Sequence, residues 1–390
     1  MERDTAKPIV QEIMFEFANL TGLSSAREVP RRYLWTDAFA VCNFLALYCQ
    51  TNDDQYRKLA LNLVDQVHNI LGRHRSDDLR TGWISGLIEE EGRRHPTKGG
   101  LRIGKRMKER RPGDPYDEQL EWDSDGQYYH YLTKWMHALN RISRVTEDLI
   151  YNRWAIELAK TVHARFTYAP SFGGQKRMYW KMSIDLSYPL VPSMGHHDPL
   201  DGLITYLELN AVEKDSRKSA RFDLNPEIAD MLNMCEGKSW ATDDPLGLGE
   251  LLSTTYKLAQ LITNESIEQA DLLDVLLNSS LIGLCSYKKK NPLKYPANYR
   301  LAFRELGLSI GLHAIERLPD LITQIPGNSS LKQCLHAHTE NLMRYKQLIE
   351  IIETFWLNTS NRQEESWISH RDINMVMLAT SLAPDGYLSI

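Results

Sequence analysis

The residues best equipped for chemistry collect in EWDSDGQYYHYLTKWMHALNR, from Glu121 to Arg141. Glu121, Asp123 and Asp125 stand just ahead of a helical pattern carrying Tyr128, Tyr129, His130, Tyr131 and Trp135. Carboxylates hold polar groups and exchange protons, and aromatic faces pack against other rings, so the cluster suits a polar, ring-shaped ligand. An N-cap at Ser124 or Asp125 on an ordinary buried helix accounts for one of those acids more simply. What separates the two readings is recurrence. Trp35 and Asp37; Glu121, Trp122, Asp123 and Asp125; His196, His197 and Asp198; Trp240, Asp243 and Asp244; Tyr295, Asn298 and Arg300; and His370, Arg371 and Asp372 all stand where an apolar helical run begins. Capping explains one acid per helix but not the companion indoles, imidazoles and phenols.

The elements that must position these groups are helices of two kinds. From Asp37 to about Gln50 small and apolar residues go all the way round, as in a helix buried on every side, whereas Asp54 to Leu71 carries one apolar stripe and a wet face. The alternation continues. Helices are predicted over Pro8–Leu20, Gly126–Val145, Glu147–Phe166, Pro199–Val212 capped by Asp198, Asn225–Cys235, Asp244–Leu261, Glu265–Leu284, Pro296–Arg317, Ser330–Leu357 and the closing SHRDINMVMLATSLAP. Strand signals are nearly absent apart from MYWKMSIDLSY, which suits a short hairpin on a rim. Between Gly72 and Gln119 runs a long connection rich in Gly, Pro and charge. Its basic part, around 92–118, includes Lys98, Arg102, Lys105, Arg106, Lys108, Arg110 and Arg111 and is expected to be a mobile solvated loop.

The 390 residues carry a net charge of -5, which gives no general attraction for nucleic-acid phosphates. No run of apolar residues is long enough for a membrane span, and the N-terminus lacks the apolar core of a signal peptide. The five cysteines are scattered without a C-x-x-C pair, so a reducing cytoplasm is the expected home and neither a zinc knuckle nor a disulfide framework is indicated. No cofactor or metal is expected. His196, His197 and Asp198 could hold a metal with Asp185 or Glu121 completing the set, although adjacent histidines more often point apart. The oligomeric state is left open.

Buried and outer helices in alternation describe an all-α closed ring of helical hairpins spanning 1–390 as one domain. The pattern resembles the six-hairpin, or (α/α)6, toroid of many glycosidases and of the sugar 2-epimerases, and RRYLWTDAFA, an aromatic and an acid opening the first inner helix, is similar to a feature of several such glycosidases. The resemblance implies that all inner helices begin on one rim, so that the clusters meet in a funnel.

Such a funnel suits a carbohydrate, with no nucleic acid and no membrane as partner. Trp35, Asp37, Trp122, Tyr128, Tyr129, His130, His196, His197, Asp198, Trp240, Tyr295, Arg300 and Arg371 are expected to bind it. Glycoside hydrolysis needs one protonated and one ionised carboxyl, and the expected pair joins Glu121, Asp123 or Asp125 with Asp244 or Asp372. His370 offers the alternative of sugar epimerisation by proton transfer at an imidazole. From a different class, a non-catalytic scaffold or regulator would bind its partner through the basic loop. Changing Asp123 and Asp125 separately to Asn tests the acid cluster: turnover is expected to fall in at least one, and unchanged turnover in both would remove the cluster from the chemistry.

Overall fold

A computed structural model describes residues 3–24, 30–212, 222–265 and 267–390, with side chains from Lys7 onward. Contacts divide the chain into two units, Ala18–Glu236 and Met1–Phe17 with Gly237–Ile390; helix α1 (Arg3–Leu20) runs across the first boundary.

In the unit Ala18–Glu236, three buried helices lie in a row: α2 (Leu34–Thr51) beside α6 (Tyr129–Thr146), and α6 beside α8 (Asp198–Val212). Each carries an outer partner, respectively α3 (Asp54–Leu71), α7 (Leu149–Phe166) and α9 (Asn225–Cys235). Helix α2 buries every residue from Leu34 to Leu47, as its all-round apolar composition predicts. Between α6 and α8 the seam is polar: Tyr129 donates to Tyr206 at 2.9 Å, Lys134 meets Asp201 at 3.3 Å and His137 meets Glu208 at 2.8 Å. Buried charges there come in opposite pairs, because a lone one would lose several kcal/mol of hydration, about the scale of whole-domain stability.

The long connection folds rather than trailing. It holds two short helices, α4 (Glu89–Arg94) and α5 (Glu118–Asp123), and an antiparallel bridge between Arg73 and Trp83. The strand segment is more extensive than one hairpin. Strands β1 (Gln127–Tyr128), β4 (Lys181–Met182) and β5 (Pro189–Val191) form a sheet in the order β1-β4-β5, and β2 (Thr167–Tyr168) pairs with β3 (Arg177–Met178). Pairing of Gln127 and Tyr128 with β4 draws those residues out of the expected helix, so α6 starts at Tyr129 instead of Gly126.

In the other unit α10 (Pro245–Glu265) packs on α12 (Ala302–Ile322), and α12 on α16 (Arg371–Leu382). Outer helices α11 (Ala270–Lys290), α13 (Ser329–Met343) and α14 (Gln347–Leu357) cover them. The single helix predicted over Ser330–Leu357 is two, broken where Tyr345 N–H turns back to the Leu342 carbonyl and the Tyr345 ring packs on Lys288. Helix α12 also runs past its expected end, through Pro319. The predicted cap at Asp244 is present: its Oδ1 accepts from Gly247 N–H at 2.9 Å. The short helices α15 (Glu365–Ile368) and α17 (Asp385–Leu388) flank α16.

Glycines let α10 and α12 approach backbone to backbone. A Cβ on Gly249 would lie 2.0 Å from the Gly307 carbonyl oxygen, and one on Gly311 would lie 2.4 Å from the Gly249 carbonyl oxygen. Alanine would add about 1 kcal/mol of helix propensity, but overpacking against a backbone that cannot swing aside costs about 1–3 kcal/mol, and here the clash wins. Gly249→Ala is therefore expected to lower stability by about 2 kcal/mol in denaturant unfolding, while Gly247→Ala, whose Cβ would meet nothing closer than 3.4 Å, is neutral or stabilising. Equal stability of the two variants would refute the close approach.

Candidate active site

The start of α6 gathers the aromatic side chains. The rings of His130 and Trp180 lie 11° from parallel with centroids 6.1 Å apart, and Tyr128 packs against both at 5.4 and 5.1 Å. Trp122 meets Trp180 edge to face at 5.1 Å and is 48% exposed, which gives the cluster an open side. On the buried side Tyr131 touches Trp35 at 5.3 Å, and its hydroxyl is 2.8 Å from that of Tyr33. Burial raises the pKa of the Tyr33 and Tyr131 hydroxyls above the usual phenol value, so both stay neutral hydrogen-bonding groups. Trp35 is buried, yet its indole N–H has no acceptor among the described residues. Such an orphan donor costs roughly 1–3 kcal/mol, and an oxygen of a bound molecule would relieve it.

The acids around these rings divide into two kinds. Asp125, fully buried, accepts from Arg75 at 3.2 Å, Arg102 at 2.9 Å, Gly104 N–H at 2.9 Å and Lys105 N–H at 3.3 Å. Glu121 accepts from Lys181 at 2.9 Å and Arg110 at 3.0 Å, and Lys181 is held further by the carbonyls of Glu121 and Ser124. Asp37 reaches back to Tyr33 N–H at 2.9 Å and faces Arg32 at 3.4 Å, tying down the start of its own helix. All three carboxylates are bonded to cations, and Asp37 and Asp125 to backbone N–H groups as well. Asp123 is different: it is exposed, and its charge is felt by Lys105. Asp198, at the start of α8, is buried with its Oδ1 3.9 Å from His130 Nδ1.

The basic loop supplies the counter-ions. Arg80 pairs with Asp78, Glu109 and Asp185; Arg75 and Arg102 hold Asp125, and Arg110 holds Glu121. Of the basic part around 92–118, Arg102 and Arg110 are thereby occupied. Lys105 departs from this pattern. Its ammonium lies 5.2 Å from the Tyr128 centroid and 5.8 Å from that of Trp122 without forming an ion pair, and burial, with the nearby Lys181 charge, brings its pKa down to about 8.

The remaining expected residues fall elsewhere. Tyr129 is engaged with Tyr206 in the α6–α8 seam. The rings of His196 and His197 lie 4.7 Å apart at the approach to α8, where His196 is exposed; Asp185 and Glu121, the two acids that would complete a metal set with them, are bonded to arginine or lysine. In the other unit Trp240 is buried, Asp244 pairs with Arg304, and Arg300 pairs with Glu305 at 2.6 Å under the Phe355 ring. Arg300 is thus a core group. Tyr295 is half-exposed beside Lys294, His370 lies exposed against Phe303, Arg371 pairs with Glu16, and Asp372 is half-buried next to it. Trp180, Tyr33 and Lys105 are absent from the expected site, and Tyr131, noted in the aromatic cluster, is absent from the residues expected to bind the sugar. Trp180 and Lys105 could have been suspected from an indole inside the strand segment and a lysine flanked by glycine, but their pairing with Tyr128 is a tertiary fact.

No protein-family model and no curated protein matches the sequence. Among solved structures the chain is similar to an alpha-1,6-mannanase of Salegentibacter sp. HEL1_6, an inactive double variant in complex with alpha-1,6-mannotriose. The identity is 12% and the TM-score 0.50, over 97% of this chain and 99% of that one. Cellobiose 2-epimerases also align: that of Spirochaeta thermophila DSM 6192 at 13% identity and TM-score 0.46 over 87% and 86% of the two chains, and that of Bacillus thermoamylovorans B4167 at 10% and 0.44 over 87% of each. The likeness to the mannanase extends from end to end and shows the fold class, the (α/α)6 six-hairpin toroid expected from the alternation of helices. None of the described helices is long and apolar enough to cross a membrane.

Asp125 gives a direct check of its structural role. Its removal leaves Arg75 and Arg102, each only 12% exposed, without their shared counter-ion. Breaking such a pair costs about 3 kcal/mol. Asp125→Ala is expected to lose that much in urea unfolding, with Asp123→Ala within about 0.5 kcal/mol of the unaltered chain; similar small losses for both would show that Asp125 is not a tether.

Proposed function

We propose that this chain is a carbohydrate-active enzyme that seats a sugar ring on the aromatic cluster at the start of α6. The observation that carries the reading is the near-parallel His130–Trp180 pair flanked by Tyr128 and the open face of Trp122. Flat, partly dry faces offer little to an extended peptide, but they match the C–H faces of a pyranose and leave its hydroxyls to Lys105 at one end and Asp198 at the other. The mannotriose bound by the similar mannanase accords with this and supplies a first test ligand.

Glycoside hydrolysis is the reaction put forward. It needs two carboxyl groups, one to protonate the leaving oxygen and one to activate water or attack the anomeric carbon. Within this unit Asp123, exposed beside Lys105, and Asp198, buried beside His130, are assigned those roles, in place of Glu121 and Asp125.

A second reading rests on the 3.9 Å between His130 Nδ1 and Asp198 Oδ1. An imidazole oriented by a carboxylate suits removal and return of a proton beside a carbonyl, which is the chemistry of sugar 2-epimerisation. This moves the proton-transfer role from His370, which bonds with Ser369 in the other unit, to His130.

Chromatography of reaction products separates the two. With alpha-1,6-mannotriose and cellobiose as substrates, hydrolysis yields shorter sugars and is expected to fall by at least about a hundredfold in Asp123→Asn and Asp198→Asn, the scale of a lost acid–base group. Epimerisation yields an isomer of unchanged length and depends on His130 instead. Trp180→Ala is expected to weaken sugar binding about tenfold, the factor equivalent to 1.4 kcal/mol. Sugar binding that is indifferent to Trp180 would sink the placement.

A further inference from the structure

We propose that the sugar taken by this site is an acidic one, a uronate-bearing saccharide whose carboxylate lies against the Lys105 ammonium. The inference rests on the carbohydrate reading above and sharpens it to a substrate class.

The argument begins with what the other cations near the cluster do. Arg75 and Arg102 hold Asp125, Arg110 and Lys181 hold Glu121, and Arg80 holds Asp78, Glu109 and Asp185. Lys105 alone among these carries its charge to the ring wall with no carboxylate of the described residues within ion-pair distance. A flexible lysine stem normally swings its ammonium out to water. Here the ammonium lies against two aromatic faces instead, and the backbone beneath it is tied down. Lys105 N–H is bonded to Asp125, and the preceding Gly104 adopts φ 95°, where a Cβ would lie 2.3 Å from the Arg32 carbonyl oxygen. The chain therefore starts the side chain from a fixed point, and the amine rests between the faces of Tyr128 and Trp122. A neutral sugar offers that ammonium only hydroxyl oxygens, whereas the carboxylate of a uronate also supplies the missing charge.

The surroundings agree in sign. The groups that act on Lys105 are Lys181 on β4, which opposes its charge, and Glu121, Asp123 and Asp125 ahead of α6, which favour it. Glu121 and Asp125 already serve two cations each, so neither is left to serve as the partner of Lys105. A second donor waits nearby. The buried indole N–H of Trp35, which lacks an acceptor, belongs to the same run of touching rings through His130 and Tyr128, and an oxygen of the ligand would complete it.

Titration of the same amine gives the proposal a pH signature. Lys105 is charged below about 8 and loses its proton above it. Affinity for an acidic sugar is therefore full near neutral pH and falls as the pH rises through about 8, while affinity for a neutral sugar stays flat across that range.

Isothermal titration of the full chain at pH 7 and pH 9 tests this, using digalacturonate and a glucuronate-containing disaccharide against cellobiose and alpha-1,6-mannotriose. The acidic sugars are expected to bind at least about tenfold more tightly at pH 7 and to lose that advantage at pH 9. Lys105→Gln is expected to abolish the preference, so that acidic and neutral sugars bind alike, and Lys105→Arg to keep the preference at both pH values. Neutral sugars binding as well as acidic ones, with Lys105→Gln making no difference, would overturn the acidic substrate and leave the carbohydrate reading standing. Binding of neither kind would overturn both. A preference for acidic sugars that persists in Lys105→Gln would place the anion elsewhere and refute the role of Lys105.

Discussion

A carboxylate taken out of water must be met by a cation or by backbone N–H groups, and that constraint shapes the start of α6. Asp125, Glu121 and Asp37 are all buried there, and each is answered: by Arg75 and Arg102, by Lys181 and Arg110, and by Arg32 with the Tyr33 amide. The loop between α3 and α6 is the source of most of these cations. Its basic character is the complement of the acids that follow it in the chain, and the two runs neutralise one another across the fold. The loop is thereby part of the floor beneath the aromatic cluster.

Placed on that floor, the rings acquire fixed neighbours. Tyr128 occupies the hinge between strand β1 and helix α6, with Trp180 arriving on the strand side and Lys105 from the loop. Three stretches far apart in sequence thus determine one surface. Lys105 and Asp123 remain outside the neutralised set, whereas Glu121 and Asp125, conspicuous in the sequence, are each bonded to two cations.

The architecture was legible because it rests on periodicity. Helix α2 with its uninterrupted small and apolar residues, the striped α3, and the Asp244–Pro245 start of α10 all announce themselves locally. For the candidate site the sequence shows which stretch carries the reactive side chains, but not how they pair. That Asp125 would be bound by residues 23 and 50 positions upstream depends on how the loop folds back, and nothing in the local pattern distinguishes it from Asp123 two residues earlier. The same holds for the late start of α6: Gln127 and Tyr128 read as helix until a partner strand more than fifty residues away claims their backbone groups. The break between α13 and α14 has no glycine or proline to mark it, and Pro319 did not end α12.

The glycine contacts between α10 and α12 bear on how that unit can move. Where helices meet through side chains, ridges can shift in their grooves by small rotamer changes and the pair can slide or roll. Where one backbone rests on the other, as at Gly249, Gly307 and Gly311, a roll about either axis drives a carbonyl into a Cα, and a slide by one residue replaces glycine with leucine, isoleucine or glutamate at the crossing. The two helices are in effect keyed together, so any rearrangement of this unit must carry them as a single rigid piece and take up its displacement at the outer helices.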